Sequence, residues 1–137
     1  MSASIKRVAY YHATVKDRPG EAYRLLSQLA EAGVNLLAFS AVPSGSGSAQ
    51  LIIFPERENL LLTAAESGGI SLSGPEHAFI CQGDDELGAF AKIHRDLFDA
   101  NVNVYASSGV SADCGRFAYV VYVKADQVEH AARVLGL

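Results

Sequence analysis

Apolar positions change their period from one segment of the chain to the next, and the changes mark out elements. Residues 8–15 are rich in Val, Tyr and Thr and predict a strand. The loop Lys16-Asp17-Arg18-Pro19-Gly20 follows. Proline suits the first helical turn, where its missing N–H is not needed, and Asp17 is placed to cap the free N–H groups of that turn. Over 21–32, Ala22, Leu25, Leu26 and Leu29 recur at helical spacing, and Gly33 is expected to end the helix in a left-handed conformation. Residues 34–42 and 49–54 predict two further strands joined by the Gly/Ser-rich turn 43–48. A second helix is predicted over 57–67 and a fourth strand over 70–73, after which Gly74-Pro75 punctuates a boundary.

The same order then returns. Shifted by 68 residues the chain falls into step with itself: Gly20 lands on Gly88, Leu29 on Leu97, Val34 on Val102, Asn35 on Asn103, Ala38 on Ala106 and Gly68 on Gly136. Gly33 lands on Asn101, the next best residue for a left-handed helix exit. The second half predicts elements at 78–82, 86–100, 102–110, 114–123 and 126–135, and stops where a fourth strand should begin. Its unit therefore either lacks that strand or borrows one. Strand–helix–strand–strand–helix–strand is the ferredoxin-like order. The expected fold is α+β: two tandem ferredoxin-like βαββαβ units with antiparallel sheets and helices on one face, divided as 1–74 and 75–137. Residues 49–54 and 117–123 hardly alternate apolar with polar, as a sheet with one wet face would. The helix-free face is therefore expected to be covered in part by another copy of the protein, as a homodimer.

Composition narrows the functions. Half of the residues are hydrophobic and 19% are charged, so a packed core is expected. The formal net charge is −4, which argues against non-specific nucleic-acid binding. No apolar run is long enough to span a membrane and no signal peptide is visible, so the protein is expected to be cytoplasmic, with Cys81 and Cys114 as reduced thiols.

Asp17-Arg18-Pro19-Gly20, then a helix, then Ala32-Gly33-Val34-Asn35-Leu36 resembles the amino-acid-binding ACT domain. Gly88 followed by Asp99-Ala100-Asn101-Val102-Asn103-Val104 resembles a diverged copy, with Leu87 where the family prefers proline. The resemblance spans nearly the whole chain and implies tandem ACT domains with no catalytic domain attached. It implies regulatory binding of a small effector, usually an amino acid, between paired domains. Carried over residue by residue, Arg18, Pro19, Gly20 and Glu21 would stand opposite Val102 and Asn103, and Leu87, Gly88 and Ala89 opposite Val34 and Asn35.

The chemistry of the residues agrees with this. A glycine at a helix entrance lets a ligand approach backbone N–H groups, and the helix N-terminus suits a carboxylate. Asp17 or Asp85 can meet an ammonium group, and the amides of Asn35 and Asn103 both donate and accept. The first loop has mixed charge, whereas Asp84-Asp85-Glu86 is acidic and repels a carboxylate, so the first site is expected to be the stronger. The acidic turn itself reads as a solvated helix cap rather than a cation site. The four histidines and two cysteines show no metal-ligand spacing, and no enzyme motif is present. His94 matches Leu26 and reads as a partly buried core histidine. No cofactor, nucleic-acid or membrane partner is expected. The leading expectation is a non-enzymatic regulatory binder of an amino acid, signalling to a separate target enzyme. The alternative is a structural protein–protein interaction module whose ligand sites have decayed.

Overall fold

A computed structural model describes residues 4–84 and 88–137. Its strands are β1 (Ser4–Lys16), β2 (Leu36–Pro43), β3 (Ser48–Pro55), β4 (Ser73–Asp84), β5 (Val104–Ala112) and β6 (Arg116–Val123). Its helices are α1 (Glu21–Glu31), α2 (Glu58–Gly68), α3 (Ala89–Asp99) and α4 (Val128–Val134). The 68-residue shift holds for structure as well as for sequence. It carries α1 onto α3 at both ends, and the register irregularity in β2 between Leu36 and Ala38 onto that in β5 between Val104 and Ala106.

Helix ends are repeated in the same detail. Gly20 and Gly88 open α1 and α3 at φ 90° and 83°, in the left-handed region that favours glycine. Gly20, rather than Asp17, is the N-cap, and no side chain caps that end. Gly33 and Asn101 close the same helices, also at positive φ. Beyond each, a valine N–H reaches back to a helical carbonyl: Val34 to Leu29 and Val102 to Leu97, both at 2.9 Å. Together with Gly33 to Ala30 and Asn101 to Phe98, these bonds make Schellman motifs.

The chain divides into two compact units, and each draws on both long strands. One unit is residues 9–76; the other joins the N-terminal residues through Val8 to residues 77–137. In the 9–76 unit the strand order is β2-β3-β1-β4, of which β1 supplies residues 9–16 and β4 residues 73–76. In the other unit the order is β1-β4-β6-β5, with β1 supplying residues 4–8. The second unit thus borrows its last strand from the start of the chain. Ile5 packs against that unit's core, and Arg7 donates to Glu129 of α4 at 2.8 Å. The predicted strands at 70–73 and 78–82 are one strand, β4, which runs through Gly74-Pro75. The expected boundary between 74 and 75 falls two residues before the division at Glu76/His77.

Antiparallel pairing sets which side chains meet. In the 9–76 unit Tyr11 faces Ile53 and Ala13 faces Leu51, and these pack with Leu25, Leu29 and Leu61 of the helices. In the other unit Phe79, Cys81 and Val121 pack with Ile93, Leu97 and Ala131. Each fully buried leucine contributes about 2 kcal/mol of transfer free energy. Tyr11 also donates its hydroxyl hydrogen to Glu58 Oε1 of α2 at 2.6 Å. No helix of the described residues is long and apolar enough to cross a membrane.

Candidate functional site

The loop between β1 and α1 is built by its backbone. The Asp17 N–H donates to the Gly47 carbonyl at 2.8 Å, the Arg18 N–H to Lys16 at 3.0 Å, and the Arg24 N–H to Gly20 at 2.9 Å. These bonds hold Arg18, Glu21 and Arg24 on one side of the helix entrance. Arg18 Nε donates to Glu21 Oε2 at 2.8 Å, and Arg24 Nη1 stands 3.7 Å from the same oxygen. The hydrogen bond from Arg18 is the main cause of a Glu21 pKa below the usual carboxylate value; the nearby charges of Arg18, Arg24 and Lys16 lower it further against partial desolvation. Glu21 is therefore a carboxylate at neutral pH. Arg24 remains mostly exposed and lines the cavity beside Glu21, where its guanidinium is placed to donate to a ligand.

Two cavities beside this loop share Glu21, and a third, about 450 Å³, lies along the outer side of α1 against Gly20, Arg24 and Gln28. The larger of the two, about 530 Å³, runs along α1, from Glu21, Arg24 and Gln28 across to Thr14 of β1 and to the segment 69–73 that leads into β4. Its polar groups are the Thr14, Ser71 and Ser73 hydroxyls, the Gln28 amide and the Glu21–Arg24 pair. At its β1 wall, His12 pairs through Nδ1 with Gln50 at 3.0 Å, and its Nε2 lies 3.7 Å from Glu76. The smaller, about 260 Å³, lies between the loop, α1 and the paired ends of β2 and β3. A Cβ built on Gly20 would meet nothing within 4 Å, so the helix entrance is open and its glycine is required by φ alone.

The expected site residues are distributed as follows. Asp17, Arg18, Pro19 and Gly20 form the loop between β1 and α1, and Glu21 is the first residue of α1. Val34 and Asn35 lie at the other end of α1, about 16 Å away by helix rise. The Val34 and Val102 side chains belong to the cores, and their N–H groups close the Schellman motifs. Asn35 is exposed and donates through Nδ2 to Glu56 at 3.5 Å, and exposed Asn103 receives its contact through its N–H, which donates to Gln127 at 3.3 Å. Gly88 and Ala89 begin α3. Asp85 and Leu87 lie outside the described residues. Arg24, Gln28 and the segment 69–73 were not among the expected residues; only the position of Arg24 one helical turn after Gly20 hinted at them. His94 is half-buried as expected and pairs with the Tyr119 hydroxyl. Among the described residues no three His, Cys, Asp or Glu side chains gather to hold a metal ion.

No protein-family model matches the sequence, and no curated protein matches it. Solved structures do match in fold. Protein BT0572 from Bacteroides thetaiotaomicron superposes with a TM-score of 0.78 at 14% identity, over 97% of this chain and 88% of that one. The ligand-free regulatory subunit of aspartate kinase from Thermus thermophilus gives a TM-score of 0.65 at 16% identity, over 97% and 93%. The corresponding subunit from Thermus flavus gives 0.62 at 17% identity, over 98% and 95%. The fold they share with this chain is the tandem ACT-like one.

Proposed function

We propose that this chain, with its ACT-like fold, is a non-enzymatic regulatory protein. It binds a small amino acid at the loop between β1 and α1, acts as a homodimer and passes its signal to a separate target enzyme. The observation that carries the reading is the pair of cavities beside the helix entrance that share Glu21, with Arg24 lining the larger and Lys16 and Arg18 the smaller. An α-amino acid needs an anionic and a cationic partner at once. Arg18 or Arg24 and the helix N-terminus suit its carboxylate, and Asp17 or Glu21 its ammonium group. The fold is shared with regulatory subunits of aspartate kinase, which adds support at the level of architecture.

A thermal-shift panel of the twenty amino acids tests this. A ligand present at 100 times its dissociation constant adds about 2.7 kcal/mol to the folded state. Gly20→Asp should abolish the response, because it places a carboxylate at the entrance and forces a non-glycine residue into positive φ. Gly20→Ala carries the same backbone strain, about 1–2 kcal/mol, without the charge, and so separates the two effects. Full affinity in a folded Gly20→Asp protein would move the site elsewhere. The exposed Phe98, Tyr105 and Val110 of the 77–137 unit favour the alternative, a protein-interaction module, and silence toward all amino acids would select it.

A further inference from the structure

α1 and α3 agree in backbone at both ends, but the side chains at their starts differ. In the 9–76 unit the smaller cavity has Ala22, Ala41, Ala49 and Leu51 as its floor, supplied by α1, β2 and β3. Sixty-eight residues on, the same positions hold Phe90, Gly109, Phe117 and Tyr119. There the Phe90 ring stacks on Tyr119 with centroids 4.4 Å apart and planes at 18°, and meets Phe117 edge-on at 5.2 Å. A Cβ on Gly109 would stand 2.8 Å from two carbons of the Phe90 ring and 2.9 Å from Tyr119. Gly109 is not at positive φ, so it is glycine for room rather than for backbone freedom. One unit fills this position with its own aromatic ring; the other leaves it open and walls it with alanines.

We infer that the open cavity of the 9–76 unit holds the side chain of an amino acid with one phenyl-sized apolar group, seated where Phe90 sits in the sister unit, with one such site per chain. The inference rests on the proposed role of the loop as an effector site and names the class of effector. At about 260 Å³ the cavity is below the roughly 300–1,000 Å³ of ligand pockets for drug-sized molecules, which gives room for one ring rather than for a large ligand. Its apolar floor gives a polar side chain no hydrogen-bond partner, and burying such a group unpaired costs affinity. Its rim carries both signs, Lys16 and Arg18 for a carboxylate and Asp17 and Glu21 for an ammonium group. The counterpart in the 77–137 unit is closed to a second ring by Phe90.

Calorimetric titration of the full chain with L-phenylalanine, L-aspartate and glycine tests this, on the wild type and on Ala22→Phe and Ala41→Phe. The two variants fill the cavity from different walls, α1 and β2. L-Phenylalanine should bind at one per chain. Each variant should weaken it by at least about tenfold while unfolding at a midpoint close to that of the wild type. If one variant does not fold, the other carries the test. Aspartate or glycine binding with phenylalanine silent would overturn the inference and leave the amino-acid-binding role standing. So would two phenylalanines per chain, or unchanged affinity in a folded variant. Silence toward all three, extended to the remaining amino acids, would overturn both.

Discussion

Tyr11 places its ring in the 9–76 core and its hydroxyl hydrogen on the Glu58 carboxylate, tying β1 to α2. Burial first, then the hydrogen bond to Glu58 and its negative charge, push the phenol up to about 12 from an ordinary value of 10. A group whose pKa is raised by folding stabilises the native state fully below the unfolded value and loses that contribution as the pH climbs through the folded one. Stability should therefore fall between about pH 10 and pH 12, and Tyr11→Phe should flatten part of that fall while costing about 1 kcal/mol at neutral pH. Denaturant titrations at pH 7 and above pH 10 measure both; an alkaline fall of unchanged size in the variant would remove Tyr11 as its source. Single residues were also where the sequence spoke most clearly. Gly33 and Asn101 each declared a positive φ through residue type alone. Ala22, Ala41 and Ala49 declared nothing, because a cavity depends on how three elements register. The available signal was a difference between the repeats, alanine against phenylalanine at positions 22 and 90, rather than their identities.

At the scale of elements, α1 was legible to within one residue and α3 to within three, because apolar spacing, helix exits and loop glycines agreed. The long strands were not. Residues 4–8 carry Ile5 and Val8 among charged neighbours and give a weak strand pattern, and Gly74-Pro75 reads as a break in what is one strand. Pairing across the unit overrides both local signals. Borrowing makes the N-terminal segment structural. Ile5→Ala should cost about 2 kcal/mol by removing apolar contact with the core of a unit whose other residues begin at position 77. A substitution in a loose terminal tail would stay within about 0.5 kcal/mol, and urea unfolding of the variant distinguishes the two. The Arg7–Glu129 ion pair, on the surface, adds little to this.

For the whole molecule, the sharing of β1 and β4 matters more than the number of units. β1 and β4 each run on from one unit into the other, so the chain should unfold in a single transition with calorimetric and van't Hoff enthalpies in agreement. Two resolved transitions would show that the halves of each long strand part without cost. The duplication and the ferredoxin-like order were legible in the sequence because both follow from the 68-residue step, and the open choice between a missing and a borrowed strand was settled only by the N-terminal residues. Borrowing also fixes a timetable. Ser4–Val8 are synthesised before residues 77–137 of their unit, at about 5–20 residues per second. For several seconds that segment is an unmatched edge, free to anneal to the late half of a neighbouring nascent chain on the same message. Two polypeptides that traded these segments would leave synthesis interlocked, an assembly route set by the order of translation.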